Sequence, residues 1–144
     1  MVELMAAPDP QNLRRQIRLP PEDEAFLDGL GLPWETIVEA GQRWVIVRGE
    51  KVPAGYNNAV VDVAIMMAPG YPPGPLDMAY FHPPLVRANG AVPQRSDSRA
   101  NIDGKSWQGW SRHRTADNPW LPGEDNLESH YFYMRVWLVD ELKR

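Results

Sequence analysis

The sequence predicts an α+β domain: a short N-terminal helix, a four-stranded antiparallel meander, a long irregular loop, and a C-terminal helix set against the sheet. Three observations carry that prediction. The runs "WETIVEA", "RWVIVRG" and "AVVDVAIMM" are rich in β-branched and aromatic residues. Leu127, Tyr131, Met134, Leu138 and Leu142 recur at spacings of four, three, four and four, which is one stripe of a helix. Between these regions Pro72, Pro73, Pro75, Pro83 and Pro84 exclude helix and leave extended segments and turns.

The elements follow in order. Residues 1–20 are a polar, loose lead-in, and 21–144 form a single domain. In "PPEDEAFLDGLGLP", Pro21 suits the first helical position. The acids Glu22, Asp23 and Glu24 suit the positive end of the helix, and Gly29 or Gly31 ends it. The first two β runs form a hairpin turning at Gly41. "AVVDVAIMM" is a strand buried on both faces, or on one face and near a helix, with Asp62 interrupting it. "MAYFH" is a short fourth strand entered through the proline-rich bend. Residues 86–106 lack periodicity and read as a long surface loop. Asp125 or Asn126 caps the last helix, which runs through Leu142. His130 lies off its apolar stripe and is expected to be exposed.

Bulk composition removes several functions. A net charge of −4 gives no general attraction to nucleic acid or to an anionic membrane. No run of about 18 apolar residues is present to span a bilayer. The N-terminus lacks a signal-peptide pattern, so a cytoplasmic domain is the expectation. The absence of cysteine excludes thiolate metal sites and a cysteine nucleophile. His82, His113 and His130 stand 31 and 17 residues apart, which matches no local ligand pattern. No metal and no cofactor is expected.

The octapeptide "WQGWSRHR", Trp107 to Arg114, is the candidate site. A serine hydroxyl is protonated at neutral pH and needs a base to become a nucleophile. His113 is two residues from Ser111, and in extended chain such residues face the same way. Arg112 and Arg114 supply positive charge beside the nucleophile. No Gly-x-Ser-x-Gly elbow is present, and the sequence shows no acid placed to orient the histidine.

Specific residues now carry a resemblance. "APGYPPGPLDMAYFHPPL" resembles the signature of ubiquitin-conjugating enzymes, in which a Tyr-Pro-x-x-Pro bend leads to a strand ending in His-Pro-Asn. Tyr71, Pro72 and Pro75 match the bend, and His82 and Pro83 end the strand. "WSRH" at 110–113, "WLP" at 120–122 and the final helix resemble the order of cysteine stretch, Trp-x-Pro and helix in that family. Over about 21–142 the chain is similar to a bacterial ubiquitin-conjugating-like (UBC-like) family from operons encoding ubiquitin-like proteins.

The resemblance implies a UBC-like fold and an acyl carrier that accepts a ubiquitin-like protein from an activating enzyme. A deconjugating metalloprotease from the same operon is a further implied partner. The cysteine position falls on Ser111, which implies an oxyester. Trp110 and Tyr71 would support the loop. His82 becomes a rival base or a structural residue. Phe26, Leu27, Glu22 and Glu24 would meet the activating enzyme. The family's asparagine is Pro84 here; either Asn89, Asn101 or Gln108 replaces it, or transfer to lysine is lost. The alternative is an inactive UBC-like module that binds a ubiquitin-like protein or its activating enzyme.

Overall fold

The structure is a computed structural model and describes residues 12–144. Helix α1 spans Pro21–Gly29 and helix α2 spans Leu127–Glu141. The strands are β1 (Trp34–Glu39), β2 (Gln42–Lys51), β3 (Val60–Met66), β4 (Ala79–His82), β5 (Ser98–Ile102) and β6 (Lys105–Trp110). They form one antiparallel sheet in the order β1-β2-β3-β4-β6-β5. The expected four-stranded meander is therefore the first two-thirds of a six-stranded sheet.

The expected long loop at 86–106 is corrected by the hairpin β5–β6. Asp103 and Gly104 both take positive φ, 53° and 76°, the pair of left-handed residues that closes a tight hairpin in register with strand twist. Ala40 and Gly41 do the same between β1 and β2, at 52° and 76°. Arg48 and Gly49 interrupt the β2–β3 register as a bulge. Asp62 explains its place within an apolar strand: Oδ1 accepts from Gly49 N at 3.1 Å and Oδ2 from Arg48 at 3.2 Å.

Both faces of the central strands are buried. Val45, Val47, Val61, Val63 and Ile65 pack with the helices. Trp44, Ile46 and Ala64 alternate to the other face and pack with Ile102 and Trp107 of the curled hairpin. The curl closes on charge: Arg14 binds Glu35 and Asp103, and Arg48 binds Glu35, Asp62 and Asp103. Glu39 accepts from the backbone N–H of Asp103 at the hairpin tip.

Residues 1–11 of the expected lead-in lie outside the described residues. The remainder is docked rather than loose. Arg14 and Gln16 exchange backbone hydrogen bonds with Thr36, and the Arg15 guanidinium lies 3.4 Å over the Trp34 ring.

Helix α1 starts with Pro21 and is followed by Gly31 at φ 75°. Helix α2 starts at a reciprocal cap: Asn126 Oδ1 accepts from Ser129 N, and Ser129 Oγ accepts from Asn126 N. It buries Leu127, His130, Tyr131, Met134, Trp137, Leu138 and Glu141, a wider arc than the apolar stripe alone. His130 corrects the expectation of exposure: it is 1% exposed and stands edge-on to Trp137. The sequence signal was its spacing, three residues after Leu127 and four before Met134.

Candidate functional site

The first half of "WQGWSRHR" is strand β6 and the second half leaves the sheet without regular secondary structure. Trp107 and Trp110 are fully buried on opposite faces. Gly109 is required because a Cβ there would come within 2.7 Å of the Tyr80 ring on β4. Gln108 is buried and works as a clamp, bonding Leu85 N, Leu85 O and Trp110 Nε1, each at 2.9 Å. This rigid strand end delivers Ser111, whose backbone N–H is held by Arg95 O at 2.9 Å.

Ser111 Oγ lies 2.7 Å from His113 Nε2. His113 Nδ1 lies 2.8 Å from Asp77 Oδ1. An ionised carboxylate only accepts hydrogen bonds, so Nδ1 carries the hydrogen and Nε2 is free to accept from the serine hydroxyl. The three residues form a serine–histidine–aspartate relay of the kind that activates an oxygen nucleophile. Asp77 is the residue that sequence reasoning missed. It is 36 residues from His113 and sits in the bend that precedes β4.

That bend is fixed from three sides. Leu76 is buried. Tyr71 donates to Asp23 Oδ2 at 2.6 Å and accepts from Leu127 N at 2.7 Å, tying the bend to both helices. Burial and the adjacent Asp23 carboxylate push the Tyr71 phenol well above its ordinary range. Met78 O accepts from His130 Nε2 at 3.0 Å, directly beside Asp77. Burial holds the His130 imidazole below its usual value, in its neutral form, despite the bond to Met78.

The neighbouring cations are committed. Arg112 lies over Trp110 and reaches Glu141 at 3.3 Å. Burial, then the charge of Arg95, lowers its guanidinium below the ordinary value. Arg114 is held by Asp125 at 3.2 Å and packs on Trp120 and Tyr133. Beside His113 opens a groove of about 460 Å³ lined by Arg95, Arg112, Tyr133, Trp137 and Arg144, among others.

His82 is not brought to Ser111. It pairs with Asp62, tilts against Trp107 and lies 3.4 Å from Ser106 O. Ala79 is opposite Trp110, so His82 is displaced from Ser111 by about 13 Å along the strands. The amide candidates are also elsewhere. Asn89 Oδ1 accepts from Ala91 N, Asn101 pairs with Ser106, and Gln108 is the buried clamp. Leu27 is fully buried, which withdraws it from any surface contact. Phe26 is partly buried, edge-on to Tyr131 and Phe132. Glu24 binds Arg18 and accepts from Leu19 N, while Glu22 is exposed.

Residues 19–141 match the prokaryotic E2 family E. The chain belongs to this family. It is an E2-like, conjugation-related protein with a curled antiparallel sheet and two helices. Comparison with curated proteins and with solved structures gives no match. Among the described residues of this E2-family chain, no helix is long and apolar enough to cross a membrane. Among the same residues, no group of three or more His, Asp or Glu side chains is placed to hold a metal ion.

Proposed function

We propose that this chain is an acyl carrier of the conjugating-enzyme type that forms an oxyester on Ser111. The observation that carries the reading is the continuous relay Asp77–His113–Ser111, with contacts of 2.8 and 2.7 Å. The donor is the C-terminal acyl group of a ubiquitin-like protein held as a thioester on its activating enzyme. Ser111 Oγ attacks the carbonyl carbon while His113 Nε2 takes the hydroxyl proton. The carbon–sulfur bond breaks, and the proton passes to the departing thiolate. Asp77 keeps the imidazole in the required tautomer and steadies its positive charge. A positioned base of this type contributes typically ~10²–10⁴-fold.

The partners under this reading are the ubiquitin-like protein and the activating enzyme, with a deconjugating metalloprotease acting downstream in a cytoplasmic pathway. Arg112 and Arg114 anchor the loop around Trp110, and Glu22 faces the activating enzyme beside the partly buried Phe26. The test is incubation with an activating enzyme, a ubiquitin-like protein and ATP. The expected product is an adduct that resists thiol reductant, is cleaved by mild base and is lost in Ser111→Ala. If Ser111→Ala leaves conjugation and partner affinity unchanged, the chain is a binding module and not a carrier.

A further inference from the structure

We infer that the Ser111 ester is discharged onto oxygen acceptors, water and hydroxyl groups, and not onto lysine amines, which makes the site an esterase toward its own intermediate. The inference rests on the oxyester reading above and assigns its acceptor class.

Two features of the site support it. The first is the exposure of the base. His113 and Asp77 side chains are each 58% exposed. Once an acyl group occupies Ser111 Oγ, that oxygen has no hydrogen left to donate. Nε2, still aligned by Asp77, then faces solvent with a free lone pair beside the ester carbon. An intermediate is preserved by keeping bases away from it, and here a positioned base lies on it.

The second feature is the surrounding charge. A lysine arrives as an ammonium ion and must lose a proton before it attacks. His113 Nε2 would have to remove that proton before any attack, whereas a hydroxyl attacks as its proton moves, and the carboxylates around the groove that could help are engaged. Glu141 is 3% exposed and binds Arg112 and Arg144, Asp140 binds Lys143, and Asp125 binds Arg114. Asp77 holds His113. Arg95, Arg112 and Arg144 line the approach, and Arg95 has no carboxylate partner among the described residues. Asp140 and Glu141 line the same groove and offset two of these charges, so Arg95 is the uncompensated cation that disfavours an ammonium relative to a neutral hydroxyl.

The step balances without a co-reactant. The acceptor oxygen bonds to the acyl carbon, and its proton moves to His113 Nε2. The bond from the acyl carbon to Ser111 Oγ breaks, and the same proton restores the serine hydroxyl. Water yields the free carboxylate, and an alcohol yields a new ester.

The probe is a short peptide thioester ending in glycine, which loads Ser111 without an activating enzyme. After excess donor is removed, the acyl-protein is followed by intact mass in buffer, in N-acetylserinamide and in Nα-acetyl-lysinamide at equal concentration and neutral pH. The expected result is decay to free peptide acid in buffer and an ester product exceeding the lysine amide by at least ~10-fold. In Asp77→Asn, loaded by longer incubation, the isolated acyl-protein decays about 10²-fold more slowly at an unchanged melting temperature. A persistent ester, or preferential transfer to lysine, overturns the inference and leaves the carrier reading standing. Turnover of the peptide thioester with no adduct from the activating enzyme does the reverse. If the peptide fails to load Ser111, burst hydrolysis of p-nitrophenyl acetate, absent in Ser111→Ala, decides the esterase, and its absence overturns it.

Discussion

Tyr71 and Asp23 share a 2.6 Å hydrogen bond across 48 residues of sequence, and it is where the bend that carries Asp77 is fastened to α1. Asp23 is 1% exposed and its other carboxylate oxygen has no partner. The same Tyr71 hydroxyl caps Leu127 N at the start of α2. Tyr71→Phe therefore strands a buried carboxyl and an orphan helix N–H together. Urea unfolding is expected to show a loss of up to about 1–3 kcal/mol for each group left unpaired. Acylation of Ser111 should slow as well, because Asp77 rides on the loosened segment.

Buried carboxyls of opposite character should shape the acid stability curve. Burial raises Glu35, but hydrogen bonds from Arg14 and Arg48 outweigh it and hold the group at about 2, below its ordinary 4.5. A depressed folded pKa contributes stability above the unfolded value that is lost as pH falls from 4.5 toward 2, roughly 3 kcal/mol for this group. Burial instead raises Asp23 above 3.8 despite the bond from Tyr71. Its contribution has the opposite sign and declines as pH rises from 3.8 through the raised value. Denaturant titrations across this range should show a shallower acid loss in Glu35→Gln and a steeper one in Asp23→Asn. Parallel curves for wild type and both variants would contradict the assignment.

Gln108 is the buried link between β6 and the segment after β4. Gln108→Ala removes the partners of Leu85 N, Leu85 O and Trp110 Nε1 at once. Each unpaired buried group costs about 1–3 kcal/mol, so the variant should unfold at much lower urea or fail to fold. Gln108→Glu, which keeps the acceptor for Leu85 N and Trp110 Nε1, should be less damaging at pH 4 than at pH 7.

Charge reversal separates docking from folding on α1. Glu22 is exposed, whereas Glu24 also accepts from Leu19 N. Glu22→Lys should slow adduct formation with the activating enzyme while lowering the melting temperature only slightly, through the reversed charge at the helix N-terminus. Glu24→Lys should lower both. Equal adduct rates in Glu22→Lys and wild type would remove the acidic face of α1 from the proposed contact.

Labelling of Ser111 by a fluorophosphonate reads the relay without any partner. Asp77→Asn should reduce the labelling rate by 10²-fold or more, since the imidazole loses its orienting charge. His82→Ala should leave the rate within a few fold, because His82 stands at the far end of β4. A rate insensitive to Asp77 would detach the acid from the site.

Much of the fold was legible because local chemistry and periodicity agree. Pro21 and the two glycines after Leu27 bound α1, and Asn126 with Ser129 caps α2. The hairpin β5–β6 was not legible as strands, since "SRANI" and "KSWQGW" expose residues such as Arg99, Asn101 and Ser106 on one side. Its only local mark was Asp103-Gly104, a pair that demands a left-handed turn. His130 was read by polarity when its helical position placed it inside.

The sequence by itself determined the order of helix and meander, the capped final helix and the absence of a thiol, and it offered His113 and His82 as rival partners for Ser111; the structure places His113 there. Only the tertiary structure decided that an acid completes the pair. Asp77 reaches His113 because β4 and β6 are neighbours in the sheet and because Tyr71 and His130 pin the bend between them. The same register sends His82 to the opposite end of β4. A contact between residues 77 and 113 has no local signature, since it depends on sheet pairing and on buried hydrogen bonds that form only when the whole chain packs.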